Sequence, residues 1–299
     1  MKVINNRRNN KVFNEDANKL VRMIQSDIVY IDTPYNNRQY AANYHLMENI
    51  ARNDKPDLAG KTKIFDWSSL RSDYAMKKNA LKAMEDLLQN INATHVILSY
   101  NDDGIISIDE LIELMRKNSI DGKVDIEYIN YRKYKSKMPS QKNNLNEMLI
   151  YIQRKPINRD TVFISVSKTT DTWSVNKNKY IKSPLNYIGG KYKLLKQIMP
   201  LFPDGINTFV DLFSGGANVG INVEAKRHIF NDMNSRVNEM FRYFATKSSE
   251  ELIGDIKARI SEYGLRKVNE KAYIKFRSDY NASPNPLDLY VLASYSYNY

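Results

Sequence analysis

Cysteine is absent from the 299 residues, which excludes disulfides, thiolate metal sites and cysteine nucleophiles together. Histidine occurs three times, at His45, His95 and His228, without ligand spacing, so a zinc or other metal site is not expected. His45 reads as a packing residue on a helix face. No apolar run approaches the ~20 residues of a membrane span, and the Asn- and Arg-rich opening stretch lacks the apolar core of a signal peptide. The expectation is a soluble, cytoplasmic protein with no membrane partner. What is present is positive charge, +11 net with a pI near 9.4, and 21 tyrosines. Cationic side chains attract a phosphate backbone and tyrosine rings stack on bases. A Lys-rich surface has the same composition, so charge favours nucleic acid without deciding for it.

The length suits one large α/β domain, or one domain with a smaller appendage. Lys11 to Asn14 reads as a short strand and Ala17 to Ile24 as a helical turn. Asp27-Ile28-Val29-Tyr30-Ile31-Asp32-Thr33-Pro34-Tyr35 then reads as a buried strand stopped by an acid, a proline and an aromatic ring. Proline cannot donate to a ladder, so the sheet ends there, at the carboxyl edge where open α/β sheets bind ligands. An acid and a tyrosine at that edge suit a flat hydrogen-bonding group such as a nucleobase. A helix is expected over Arg38 to Arg52, a loop over 53–75, and an amphipathic helix over Ala80 to Ile91. His95 to Tyr100 is a strand, Ser107 with Glu110 is a capping box opening a helix, and Val124 to Tyr131 and Met148 to Ile152 are strands. Tyr131 to Lys137 is a basic, aromatic loop, either solvated or in contact with DNA phosphate. Alternating strands and helices predict a largely parallel sheet.

A polar segment, 156–182, reads as a connector, with Val162 to Val166 as a candidate extra strand. Thr208 to Phe213 is the next strand, followed at once by Ser214-Gly215-Gly216-Ala217-Asn218-Val219-Gly220, and His228 to Asp232 is another. A glycine turn after a buried strand lets backbone N–H groups approach a ligand. An acid at the end of the next strand suits a ribose diol, and Asp232 lies 21 residues after Asp211, as on a nucleotide-binding βαβ unit. Asp211 directly before the turn would repel a pyrophosphate and attract a sulfonium bearing a free amine. Helices follow Asn234 and the Ser248–Glu251 capping box, then span Glu270 to Tyr280 and Pro286 to Tyr297.

These blocks resemble the N6-adenine DNA methyltransferases of the DNA adenine methylase family found in restriction–modification systems. Asp32-Thr33-Pro34-Tyr35 is similar to the family's Asp-Pro-Pro-Tyr motif, departing from it at Thr33. Val210 to Gly216 resembles its cofactor motif through Asp211, Phe213, Ser214, Gly215 and Gly216, and Asn231-Asp232-Met233-Asn234 its ribose-binding strand end. Tyr187-Ile188-Gly189-Gly190-Lys191 resembles its other cofactor motif, whose aromatic and lysine flank the methionine moiety. Asp16 is a weaker match to an acid near the cofactor's adenine. The resemblance implies an S-adenosylmethionine-dependent enzyme acting on an adenine flipped from duplex DNA, with Tyr35 stacking on the base. It implies a Rossmann-like seven-stranded sheet, mostly parallel with one antiparallel strand.

The motifs stand in permuted order, the catalytic half (1–155) before the connector (156–182) and the cofactor half (183–245), with a partial helical recognition subdomain at 246–299. A circular permutant, or the middle slice of a tandem enzyme, would give that order, and a second polypeptide would then complete recognition. Other readings are a non-catalytic DNA- or cofactor-binding fragment and an RNA or protein amino-methylase. For a donor methyl to meet an extruded purine, the turns at residues 32 and 211 must line one cleft.

Overall fold

The computed structural model describes residues 10–37, 57–59, 64–66, 68–132, 144–154, 157, 180–185, 190–266 and 268–295. The expected helix over Arg38 to Arg52, with His45, most of the connector and its candidate strand, and Lys133 to Lys137 lie outside these residues.

Seven strands form one sheet: β1 (Lys11–Phe13), β2 (Ser26–Ile31), β5 (Ala93–Asn101), β6 (Asp125–Arg132), β7 (Asn144–Gln153), β8 (Ile206–Asp211) and β9 (Ala225–Asn231), in the spatial order β1-β9-β8-β2-β5-β7-β6. Two short strands, β3 (Leu58–Ala59) and β4 (Ile64–Phe65), make a separate antiparallel pair. All neighbours in the main sheet are parallel except β7, which runs against both β5 and β6. This is the α/β sheet expected from the sequence, one strand reversed. The loop expected over 53–75 instead contains the β3–β4 pair and two 3-10 turns, Ser68–Leu70 and Asp73–Ala75.

The central strand β2 is buried almost throughout because apolar layers cover both of its faces. On one face Val29 and Ile31 join Val96, Leu98, Ile150, Val210 and Ile229 against Leu20 of α1 (Ala17–Leu20), Met84, Leu87 and Leu88 of α2 (Ala80–Asn90), and Leu111 and Met115 of α3 (Ile108–Asn118). On the other, Ile28 and Tyr30 join Ile97, Leu149 and Phe209 against Leu194 and the short helix α4 (Leu195–Ile198). The Ser107–Glu110 capping box opens α3 as its spacing predicts. Helices α5 (Ser235–Ala245), α6 (Ser249–Tyr263), α7 (Glu270–Ala282) and α8 (Pro286–Ser294) follow the last strand. They bury their own apolar clusters around Phe276, Tyr280 and Leu292, and around Met240, Phe244 and Leu252. The last helix ends at Ser294, short of the expected Tyr297. No helix among the described residues is long and apolar enough to cross a membrane.

Edge strand β1 is only three residues long, and side chains fasten it. Buried Asn231 accepts the Glu15 N–H at 3.1 Å and donates to the carbonyls of Glu15 (3.0 Å) and Leu212 (3.2 Å), tying the ends of β1, β8 and β9 together. Asn238 donates to the Phe13 carbonyl at 2.8 Å and Arg242 to that of Val12 at 2.5 Å, which brings α5 across the same edge. Because Asn231→Ala strands a buried N–H and two carbonyls, it should lower unfolding free energy by about 2 kcal/mol, as a reduced midpoint in guanidinium chloride at unchanged slope.

Candidate active site

A cavity of about 1080 Å³ opens at the carboxyl ends of β2, β8 and β9. Its position follows from topology: the chain leaves β8 towards β9 on one side and β2 towards β5 on the other, so the sheet divides between β8 and β2 and leaves a crevice above the join. Tyr30 of β2 pairs with Asp211 of β8. Asp32 and Asp211, distant in sequence, therefore stand on adjoining strand ends and line the same cavity.

The glycine turn after β8 forms one wall. Gly215 has φ of +47°, a region glycine enters without steric penalty, and Ala217 also sits there at +57°, a costlier conformation for a residue with a Cβ. Two acids hold this turn in place. Asp232 accepts the N–H groups of Gly215 (2.8 Å) and Asn234 (2.9 Å), and Asp211 accepts that of Gly220 (3.0 Å). At Gly220 a Cβ would come within 2.9 Å of the Asp211 carboxylate and 2.3 Å of the Phe230 ring, so the close approach of backbone to acid requires glycine. Burial pushes Asp211 up to about 7 and raises Asp232 as well, although the backbone N–H groups oppose it in both cases. Phe213, Ser214 and Gly216 complete this wall, and Asp16, exposed at the N-cap of α1, lies on the rim.

Another part of the lining comes from the 3-10 turn Asp73–Ala75, which precedes α2. Tyr74 donates to Asn18 at 2.5 Å, Asn18 donates to Asp86 at 2.8 Å, and Tyr74 meets Phe213 edge-on at 5.3 Å. This chain of contacts fixes α1, α2 and the glycine turn relative to one another.

At the floor, Lys191 projects from the 3-10 turn Lys191–Leu194, which packs on the Tyr30 face of the sheet. Its ammonium lies 3.0 Å from Asp32 and 2.8 Å from Glu147 of β7, and the Ser99 hydroxyl of β5 donates to the same Glu147 oxygen at 2.5 Å. Glu147 reaches this edge because β7 is antiparallel: its opening residues sit where parallel strands end, opposite Asn101. Burial pushes Asp32 up to about 6, with Lys191 pulling down and Glu147 pushing up. Burial also opposes charge on Lys191, but Asp32 and Glu147 outweigh it and hold the ammonium well above its ordinary value.

Of the residues singled out in the sequence, the cavity gathers Asp32, Pro34, Gly190 and Lys191 with Asp211 and its glycine turn, Asp232 and Asp16. Thr33 lies beneath the turn, 1% exposed, its hydroxyl unpaired among the described residues. Tyr35 is half-buried beside the cavity, its ring edge-on to Tyr100 at 6.2 Å and its carbonyl accepting the Ile105 N–H at 2.7 Å. Tyr187 and Gly189 lie outside the described residues. Sequence reading missed Glu147, Ser99, Asn18 and Tyr74. For Glu147 a signal existed, a single acid at the mouth of the apolar run Met148 to Ile152.

A family model described as D12 class N6 adenine-specific DNA methyltransferase matches residues 1–114 and 187–299. Modification methylase StsI of Streptococcus sanguinis is 61% identical over 298 residues, which are 99% of this chain and 45% of that protein. The type II methyltransferase M.FokI of Planomicrobium okeanokoites is 45% identical over the same shares. Modification methylase LlaI of Lactococcus lactis is 36% identical over 97% of this chain and 44% of its own length. The chain thus spans a little under half of each of these relatives.

The raised acid at 211 has a checkable consequence. A carboxyl with a folded value near 7 and an ordinary unfolded value near 4 costs stability once it must ionise. That cost is absent well below pH 4, grows between 4 and 7, and is full above 7. Asp211→Asn, which keeps an acceptor for Gly220, should raise the melting temperature by on the order of 5 °C at pH 8, with the gain shrinking as pH falls towards 4 in thermal scans.

Proposed function

The chain belongs to the D12 class of N6 adenine-specific DNA methyltransferases, and from that premise we propose that it transfers a methyl group from S-adenosylmethionine to N6 of an adenine flipped out of duplex DNA, as the modification enzyme of a restriction–modification system. The observation that carries this reading is the shared cavity of Asp32 and Asp211. Its volume is at the upper end for a single ligand site, which leaves room for cofactor and base together.

The residues present fit the cofactor. Buried Asp211 and half-buried Asp232 beside a glycine turn favour a cationic ligand carrying an amine and a diol, and disfavour a pyrophosphate. S-adenosylmethionine supplies an electrophilic methyl group on a sulfonium. Asp211 would hold its amino end, Asp232 its ribose, Asp16 the neighbourhood of its adenine, and Phe213 and the 214–216 turn its length. Tyr187 and Gly189 join Gly190 in this assignment.

For the target base, the Asp32 carboxylate and the Thr33 carbonyl accept hydrogen bonds from the N6 amino group, which localises its lone pair. Pro34 ends the ladder and frees those acceptors, and Tyr35, braced edge-on by Tyr100, is the stacking platform. As nitrogen gains the methyl group it becomes cationic, and ionised Asp32 both stabilises that charge and takes the surplus proton. Orientation supplies much of the rate, because the methyl donor arrives already activated. Duplex DNA is the proposed partner, read by the helices of residues 246–299 together with a second polypeptide.

Incubation with methyl-labelled cofactor and duplex DNA, RNA or protein tests the reading. Label on N6 of adenine in duplex DNA alone supports it, and label on RNA or protein, or none anywhere, refutes it. Asp32→Ala should reduce transfer by about 10³-fold, and the wild-type rate should fall as pH drops through about 6, where Asp32 protonates. Thr33→Pro removes a buried unpaired hydroxyl and stiffens the turn, so single-turnover kinetics should show a gain of about twofold to fivefold.

A further inference from the structure

Glu147 is a buried charge that the mechanism above leaves without a task. It is 4% exposed, lies on a different strand from the one that leads to Asp32 and the one that ends at Asp211, and shares the Lys191 ammonium with Asp32. If Lys191 served only to neutralise Asp32 in a buried setting, one cation and one acid would suffice, and a second carboxylate nearby would be a liability. The second carboxylate is nonetheless well supported. Ser99 donates to the Glu147 oxygen that also receives Lys191, which fixes its orientation.

The charge count indicates its purpose. One lysine paired with one aspartate makes a neutral unit, and a neutralised carboxylate is a weak acceptor and a weak base. One lysine shared by two carboxylates leaves one negative charge. The side chain of Asp32, unlike the other two, stays 21% exposed, so the surplus charge is available on the cavity side. We propose that Glu147 is a positioning residue that draws Lys191 into a shared position and so leaves the Asp32 carboxylate less neutralised, a stronger base and a stronger acceptor for the substrate amine. This proposal rests on the methyl-transfer reading for its purpose, but its electrostatic content concerns the protein alone.

Among the described residues, the charged and titratable groups around Asp32 are Lys191 from the 3-10 turn, Glu147 from β7, Tyr30 from β2 and Asp211 from β8. Two of them act with opposite sign and can be removed separately. In Glu147→Gln the lysine is left to Asp32, whose titration midpoint should move to lower pH. In Lys191→Met the midpoint should move to higher pH. A residue that merely fills space would move neither.

The experiment follows the Asp32 carboxyl carbon by NMR titration in wild type, Glu147→Gln, Lys191→Met and Ser99→Ala, alongside single-turnover methyl transfer against pH and the dissociation constant of S-adenosylmethionine. Expected for Glu147→Gln are a lower midpoint, a plateau rate reduced about tenfold, and a dissociation constant within about twofold of wild type. Ser99→Ala should shift the midpoint the same way by less, and it carries the test if Glu147→Gln does not fold. An unmoved midpoint, or one displaced upward as in Lys191→Met, overturns the proposal, as does a lowered midpoint with an unchanged rate. Should wild type prove unable to methylate DNA, the function assigned above fails, and the NMR midpoints alone still decide whether Glu147 governs the charge on Asp32.

Discussion

Three rungs of one parallel ladder, Ile28 to Phe209, Val29 to Val210 and Tyr30 to Asp211, hold the two halves of the candidate site together. The strands concerned are separated by most of the chain. Parallel pairing aligns their carboxyl ends, and each strand then stops abruptly, one at an Asp-Thr-Pro turn and the other at a glycine turn. Side chains that alternate across β2 place Ile28 and Tyr30 with the Lys191 turn, and Val29 and Ile31 with the helices of the opposite layer. With that register fixed, the acids, the lysine and the glycine turn arrive at one place without any further device. A slip of a single residue would reverse the faces of β2 and dismantle both layers.

The cavity concentrates negative charge where a protein ordinarily avoids it. Asp32, Asp211 and Asp232 are all pushed above their ordinary values, chiefly by burial, and the lysine nearest to them is shared with a fourth acid. Groups perturbed in this way cluster where a fold gives up stability for function. A cation would relieve the strain, and that is the chemical character of the proposed sulfonium cofactor and of a base in the act of being alkylated. Backbone N–H groups from Gly215, Gly220 and Asn234 moderate the burden, and the same hydrogen bonds hold the glycine turn against the two acids.

Much of this was legible in the sequence, for identifiable reasons. Strands β2 and β8 are apolar runs that end in strong punctuation, proline in one case and glycine in the other, so both their existence and their active edge could be read. The Ser107 and Ser248 caps were legible because the motif is local. Glu147 could be seen as an acid beside an apolar run, but its partnership could not, because that depends on the reversal of β7 and on its register with β5, which no local pattern encodes. The Tyr74–Asn18 wall was missed for a similar reason: it joins residues 56 apart through one hydrogen bond, inside a stretch whose polar composition reads as loop. Lys191 was found as part of a motif, yet its ion pairs with Asp32 and Glu147 depend on how the 3-10 turn settles on the sheet.

The fastening of β1 bears on how the molecule assembles. Its three rungs, and the side chains that bind residues 10–15, come from Asn231, Asn238, Arg242 and their neighbours, with partners 216 to 230 positions away. In the sheet β1 pairs with β9 alone, so its rungs form only once those distant groups have been made, whereas β2 can meet β5 much sooner. Within this sheet β1 therefore closes late, as a latch rather than a nucleus. Because Glu15 and Asp16 follow directly on that latch, the rim of the cavity is completed only when the whole sheet already exists.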